Sequence, residues 1–568
     1  MSAPHHLGCR RLLCRRLAIL GSVIDREEFN RFRRAAVDAL NALYSILKDG
    51  ALHSLASILP DGSQAWHLYE AVLFVVQSLG ETLMETLVSM RTKRINSTDT
   101  AQSLSRTLRH WFSTSMQLLA TNPQGAGELQ LRLMIVNASA SVARWLNTQE
   151  DMLLPLVGLH FSLCTADADS GVVAAKAFRQ LAREAKGALA LHAEALARDL
   201  MQGQMVQQGK ECRGILMEGL SYILSELPAV QVKPIIEGIG AHLMSRVQQL
   251  LLLGTQHASN SIACQAIITE LHSLGGLVRL LAAPADPSVV PVVDLLRACW
   301  PTLASALSAA VLNEEIVDVF CEMLERFFTS ARVALKSLIA PILENLVGCF
   351  QRLRSPSCLI LFAHAVEMFY DGETHDIFGT VVAIVSESAL GELMHNMATS
   401  QALAAAFFDL LHRFSIFAPA LLGATPSLAS SLQAAVRCIG LVEDKDSVRS
   451  AMAFVQTALA SKDMTLATAR HHSLVVGELG PHLLMATLQS LYRPTLADCN
   501  AKAALLAHEI FMAFPESSIW LASCLASPSF RTDAAAINSA VAGLASPSEP
   551  LERRIWEFSK TVTALQNR

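Results

Sequence analysis

Four carboxylates, Glu315, Asp318, Glu322 and Glu325, recur at steps of three and four residues. That spacing puts them on one face of any helix drawn through the stretch. The chemistry they offer is electrostatic. A row of carboxylates attracts a basic peptide, steers its approach and gives binding that salt weakens. A charged helix face is also commonly no more than a solvated one. What favours a binding role here is the surrounding architecture.

Other clusters of reactive side chains lead less far. Asp371, Glu373, His375 and Asp376 crowd the segment DGETHD but lack the spacing of a calcium loop, and they read as a solvated connection between helices. His471, His472, Glu478 and His482 lie in an apolar region. No two of these histidines have the i, i+4 spacing of a helical zinc site. The 12 cysteines contain no CxxC pair and no regular interval, which suggests reduced, buried thiols rather than a disulfide framework. HExxH, GxxxxGK[ST], GxSxG and a strand-to-helix GxGxxG are all missing. The expectation is a protein without catalysis, metal or cofactor.

The acidic row belongs to the stretch Asn313 to Thr329, where Ile316, Phe320, Met323, Leu324, Phe327 and Phe328 recur at helical spacing on another face. Asn313 suits the N-cap, and Glu314 and Glu315 suit the positive end of the helix dipole. Apolar helices are predicted on either side, over Val292 to Ala309 and Val333 to Arg352. The same pattern fills the chain: Asp25 to Leu47, Trp66 to Met90, Thr100 to Ala120, Leu129 to Leu146 and Met152 to Leu163. Breaks fall at Lys48-Asp-Gly50, Pro60-Asp-Gly62, Asn122-Pro123 and Asn147-Thr148, and a longer loop at Ala282 to Ser288. Later breaks are Ser355-Pro-Ser357, Tyr370-Asp-Gly372, Glu443 to Asp446, Tyr492-Arg-Pro494 and Ser546-Pro-Ser548. A polar terminal helix is expected over Arg553 to Gln566. No useful length shows strand alternation. Prolines at 155, 234 and 341 read as lying near helix starts, where a missing N–H does least harm. Pro155 and Pro234 are 79 residues apart, Pro301 and Pro341 are 40, and Pro341 and Pro419 are 78. These fit a period of about 40, that of HEAT-type helical hairpins, whereas the interval from Pro234 to Pro301 does not.

Composition agrees. A chain of 568 residues is too long for one ordinary core, and 52% of it is hydrophobic against 17% charged. Phe414 to Val436, a long run free of acidic and basic residues, is broken by Pro419, Gly423 and Pro426, a poor membrane span. The apolar excess therefore reads as helix–helix contact within a stacked array. A net charge of −5 argues against nucleic acid as the main partner.

Several segments together resemble nuclear transport receptors of the importin-β superfamily, in its branch containing transportin-SR and importin-thirteen. They are FNRFRRAAVDALNALYSIL (Phe29 to Leu47), WHLYEAVLFVVQSLGETL (Trp66 to Leu83), CWPTLASAL (Cys299 to Leu307) and HLLMATLQSLYRPTLADCNAKAALLAHEIF (His482 to Phe511). The order of helices matches from about Asp25 onward. The resemblance implies a superhelical HEAT array that carries protein cargo through nuclear pores, with nucleoporins and GTP-bound Ran as partners. It also implies that the family's amino-terminal repeats, which hold much of Ran, have no counterpart here, so that Ran binding is expected to be weakened. In transportin-SR an arginine-rich helix holds phosphorylated serine–arginine cargo. The matching positions here are Glu315, Val319, Glu322, Glu325 and Thr329, which cannot clamp phosphates.

The expectation is thus an all-α HEAT-like solenoid over residues 25–568. It is preceded by a basic segment, 1–24, with Arg10, Arg11, Arg15 and Arg16. That segment fits either a transit peptide or, the reading preferred, the remnant of an upstream repeat. The expected function is importin-like transport of basic protein cargo between cytoplasm and nucleus, most simply import, with Glu315, Asp318, Glu322 and Glu325 as cargo-binding residues. No direct nucleic acid contact and no membrane insertion are expected. The alternative is a HEAT scaffold of a cytosolic complex, without transport.

Overall fold

Asn313 begins the stripe-bearing helix as its side chain predicts, its amide oxygen accepting the Ile316 N–H at 3.2 Å. The same device opens other helices. Asp167 accepts from the Ser170 N–H at 2.9 Å, and Asp444 accepts from that of Ser447 at 2.8 Å. Each cap satisfies a backbone donor that the helix leaves orphaned. The computed structural model describes residues 26–47, 66–92, 98–121, 127–202, 208–254, 261–281, 290–309, 313–460, 478–491 and 493–525, with scattered positions to 561. Outside the described residues lie the basic segment 1–24, His471 and His472, and the predicted breaks at 48–50, 60–62, 122–125, 282–288 and 546–548. Most of the expected terminal helix over 553–566 lies outside them too.

The described chain is helical, with no strand among its described residues. Its longer helices are α1 (Arg26–Leu47), α2 (Trp66–Thr92), α3 (Thr98–Thr121), α4 (Glu128–Ser141), α5 (Glu150–Cys164), α6 (Ala168–Glu184), α7 (Lys210–Leu224), α8 (Ala229–Gly254), α9 (Ser261–Val278) and α10 (Pro291–Ala309). They continue as α11 (Glu314–Ala331), α12 (Lys336–Leu353), α13 (Pro356–Phe369), α14 (His375–Asn396), α15 (Gln401–Phe417), α16 (Leu428–Leu441), α17 (Lys445–Ala460), α18 (Gly480–Ser490), α19 (Asn500–Ala513) and α20 (Ser517–Leu525). They fall into two compact units, 1–246 with 265–295, and 247–264 with 296–568.

Within the second unit the helices form two layers. Successive neighbours α11, α13, α15, α17 and α19 pack side by side in one, and α12, α14, α16, α18 and α20 in the other. In the first unit α2, α4, α6 and α7 form such a row, with α3 and α5 packed against it. This is the repeat arrangement that a period near 40 requires: each hairpin covers the apolar face of the next. Phe320, Phe327, Phe328, Phe350, Phe362, Phe378 and Phe407 are fully buried between the layers, each worth about 1.5–3 kcal/mol against exposure. Polar contacts keep the same period. Arg144 bonds Glu184 at 2.7 Å, 40 residues on; Arg179 bonds Glu218 at 2.8 Å, 39 on; and Arg354 bonds Glu392 at 3.2 Å, 38 on.

The prolines need one correction. Pro155, Pro234 and Pro341 lie inside α5, α8 and α12 rather than at their starts, as Pro301 lies inside α10. Pro155, Pro234 and Pro301 are exposed and Pro341 is half-buried. The carbonyl freed four residues earlier can therefore bond to water, which lowers the cost of the lost helical bond. The helix predicted over Leu129 to Leu146 is also divided, at Val142.

Two stretches, Glu314–Leu353 and His375–Asn396, are long and apolar enough to cross a membrane by length and composition. The first is interrupted at Arg332, whose backbone has φ 48° and ψ −135°, and its exposed face carries the acidic row. The run Phe414 to Val436 is divided among α15, a short helix Pro419–Ala424 and α16.

Candidate functional site

α11 presents two opposed faces. Ile316, Val317, Phe320, Met323, Leu324, Phe327 and Phe328 are buried. Glu315, Asp318 and Glu322 are exposed and Glu325 is half-exposed. The four carboxylates therefore lie where the spacing places them. Neighbouring side chains engage them, which the sequence did not indicate. Asp318 Oδ1 accepts from the Ser357 hydroxyl at 2.7 Å and the Ser355 hydroxyl at 3.2 Å, both at the start of α13. Glu322 pairs with Arg326 one turn on. Glu325 Oε1 lies 3.2 Å from His364 Nδ1 on α13. The next helices extend the pattern, with Glu367 bonded to Arg413 at 2.8 Å and His412 to Thr457 at 3.0 Å. Burial holds His412 below the usual histidine range, although Asp409 opposes the shift.

These contacts leave the face acidic and cheap to open. Glu322 and Glu325 retain 48% and 43% of their side-chain exposure, and exposed ion pairs contribute about 0–1 kcal/mol. A partner's lysine or arginine can exchange with Arg326 or His364 at little cost.

The other candidates among the described residues are engaged within the fold. Lys336 pairs with Asp371 and, at 2.6 Å, with Glu373. The Lys336 ammonium, followed by backbone N–H bonds, holds the Asp371 carboxyl below the usual carboxylate range. The Asp371 carboxylate accepts the N–H groups of Glu373 and Thr374, which closes the turn into α14. DGETHD is thus a self-bonded connection between repeats. His482 Nδ1 bonds the Glu478 carbonyl at 2.8 Å. No group of three or more His, Cys, Asp or Glu side chains among the described residues could hold a metal ion. All ten described cysteines are free and nine are buried. Burial pushes the Cys299 and Cys438 thiols up to about 12, which suppresses the thiolate a nucleophile needs.

Two features of the first unit went unread in the sequence. One is a polar cleft of about 400 Å³, where Gln77, Glu81 and Glu85 of α2 face Arg144 and the α6 residues Gln180 and Glu184. Its lining comes from segments some 40–60 residues apart, so no local pattern marks it. The other is a buried charge cluster. Arg213 on α7 makes two bonds to Glu270 on α9, at 2.8 and 2.9 Å, and Arg246 Nε lies 3.2 Å from the same carboxylate. Around it α7 and α9 approach so closely that a Cβ on Gly276 would meet the Gly214 carbonyl at 2.5 Å.

In sequence, the chain matches no protein-family model and no curated protein. In structure it is similar to importin 13 in its cytosolic state, with a TM-score of 0.74 and 15% identity. The match covers 100% of this chain, which spans 65% of the length of that one. A crystal structure of an engineered protein matches at a TM-score of 0.40 and 12% identity, over 80% of this chain and 99% of its own. That likeness is too remote to carry an argument. With two layers of helices repeating at about 40 residues and an importin overlaid along its whole length, this chain has the HEAT-repeat solenoid fold of an importin.

Proposed function

We propose that this chain is a nuclear transport receptor of the importin-β type, in the branch containing transportin-SR and importin 13. It binds basic protein cargo and carries it into the nucleus, shuttling between cytoplasm and nucleus, without catalysis. The observation that supports this reading is the likeness to importin 13 along the entire chain. Nucleoporins and the Ran GTPase are the further partners that it entails. Glu315, Asp318, Glu322 and Glu325 on α11 are the cargo-binding residues, and a basic segment of cargo exchanges with Arg326 and His364 for their carboxylates.

Pull-downs on immobilised nucleoporin repeats and on GTP-loaded Ran test the reading, with a lysine-rich peptide as the model cargo. Nucleoporin capture is expected, together with salt-sensitive binding of the peptide. Binding to neither nucleoporins nor Ran would leave a scaffold as the better description.

A further inference from the structure

The turn from α12 into α13, Arg352-Leu-Arg-Ser-Pro-Ser357, reaches the acidic face through two hydrogen bonds to Asp318, from the Ser357 hydroxyl at 2.7 Å and the Ser355 hydroxyl at 3.2 Å. We propose that Ser357 is a phosphorylation site for an arginine-directed protein kinase, and that its phosphate adjusts the charge of the acidic face. The modification stands on the turn alone, whereas its consequence rests on the cargo-binding reading of α11.

Arg352 and Arg354 precede Ser357 by five and three residues. That is the spacing at which the acidic substrate cleft of such a kinase takes two guanidinium groups. The fold presents the stretch as a surface turn. Arg354 has left-handed backbone angles, φ 52° and ψ 36°, and ends α12. Arg352 and Arg354 are exposed and Ser357 is partly so. The Arg354 partner, Glu392, is at 3.2 Å across a solvent-accessible pair, which a kinase carboxylate can replace. Ser355 is the other hydroxyl, but it is fully buried and caps α13 by accepting the Ser357 N–H at 3.2 Å. To lie extended in a kinase cleft, the turn must release the last turn of α12 and the first of α13. Helix ends are the parts that open most readily.

In the transfer, the Ser357 oxygen forms a bond to the γ-phosphorus of ATP, ADP leaves, and the hydroxyl proton passes to the catalytic base of the kinase. The Ser355 hydroxyl, 3.2 Å away, still donates to Asp318, but the closer Ser357 donor is gone. In its place stand three acceptor oxygens carrying about −1.5 to −2 charges. Like charge separates phosphate and carboxylate, while the position in the first turn of α13 favours the phosphate through the helix dipole. A face of four carboxylates becomes one of about six negative charges, with Asp318 released from Ser357.

The test treats the full chain with ATP, magnesium and a kinase selective for arginine five and three residues before serine, and maps phosphate by peptide mass spectrometry. The expected result is modification at Ser357. It should vanish in Ser357→Ala and fall at least about tenfold when Arg352 and Arg354 are both changed to Ala. Affinity for a lysine-rich probe peptide should rise several-fold at low salt, with a steeper salt dependence. Phosphate placed elsewhere, or reaching Ser357 only in the denatured chain, overturns the site. Phosphorylated Ser357 with unchanged probe binding overturns its coupling to the face. If changing all four carboxylates to Lys also leaves probe binding unchanged, the fault lies in the cargo-binding reading instead.

Discussion

The Arg213–Glu270–Arg246 cluster of the first unit and the carboxylate row of α11 in the second use the same residue types to opposite ends. Arg213 and Glu270 keep 2% and 0% of their side-chain exposure, whereas Glu322 keeps 48%. Removal from water makes Arg213 and Glu270 depend on their partners, since an unpaired ion there has no solvent to replace them. Arg246, at the edge of the cluster, stays partly hydrated. The second group remains hydrated, holds its partners loosely and is open to exchange. Burial, more than charge, separates a structural ion from an interacting one.

The sharpest way to break the comparison is to remove one member of the buried cluster. Glu270→Ala should cost the first unit about 3–5 kcal/mol, because it strands two guanidinium groups in or near the core. Replacing Arg213, Glu270 and Arg246 together by apolar residues of similar volume should cost far less. Chemical denaturation of the three proteins checks both outcomes, and equal losses for the single and triple variants would refute the account.

A second effect in the first unit follows from His160. It is fully buried, with Nδ1 3.2 Å from the Ala174 carbonyl and Nε2 3.0 Å from the Ser139 hydroxyl. Burial pushes its pKa from 6.5 down to about 4, against the opposing hydrogen bond to Ala174. Between these values the unfolded chain binds the proton that the folded chain refuses. Stability is therefore full above pH 6.5 and declines as pH falls toward about 4, by roughly 3 kcal/mol. Thermal melts across this range should show the decline, and His160→Asn should flatten it.

On the exposed side the effects on folding are smaller. Asn313→Ala removes the cap of α11 and should cost about 1 kcal/mol, seen as a lowered denaturation midpoint. Changing Glu315, Asp318, Glu322 and Glu325 all to Lys should cost less than about 0.5 kcal/mol each. Somewhat more is expected at Asp318, which bonds two serines, and at Glu315 beside the helix dipole. Binding of a basic peptide should fall sharply in the same variant, and its salt dependence should flatten. Undiminished binding at low salt would reduce the row to a solvated face.

Much of the fold is legible because its signals are local. Asn313 before Ile316, the recurrence of Phe320, Phe327 and Phe328, and the breaks at Ser355-Pro356 and Tyr370-Asp-Gly372 act within one or two turns, and the helices begin and end near them. The prolines were misplaced because nothing local shows whether a freed carbonyl faces water. The carboxylates of α11 were legible as a row, since helical geometry alone aligns them.

Their partners were not legible. Arg213 and Glu270 are 57 residues apart, and Asp318 and Ser357 are 39, so only the stacking of one repeat on another brings them together. The chain determines where helices form and which side of each is apolar, because backbone bonding and side-chain periodicity act at short range. The tertiary structure decides which of its charges lie in water and which are sealed between helices, because desolvation depends on neighbours supplied by distant repeats.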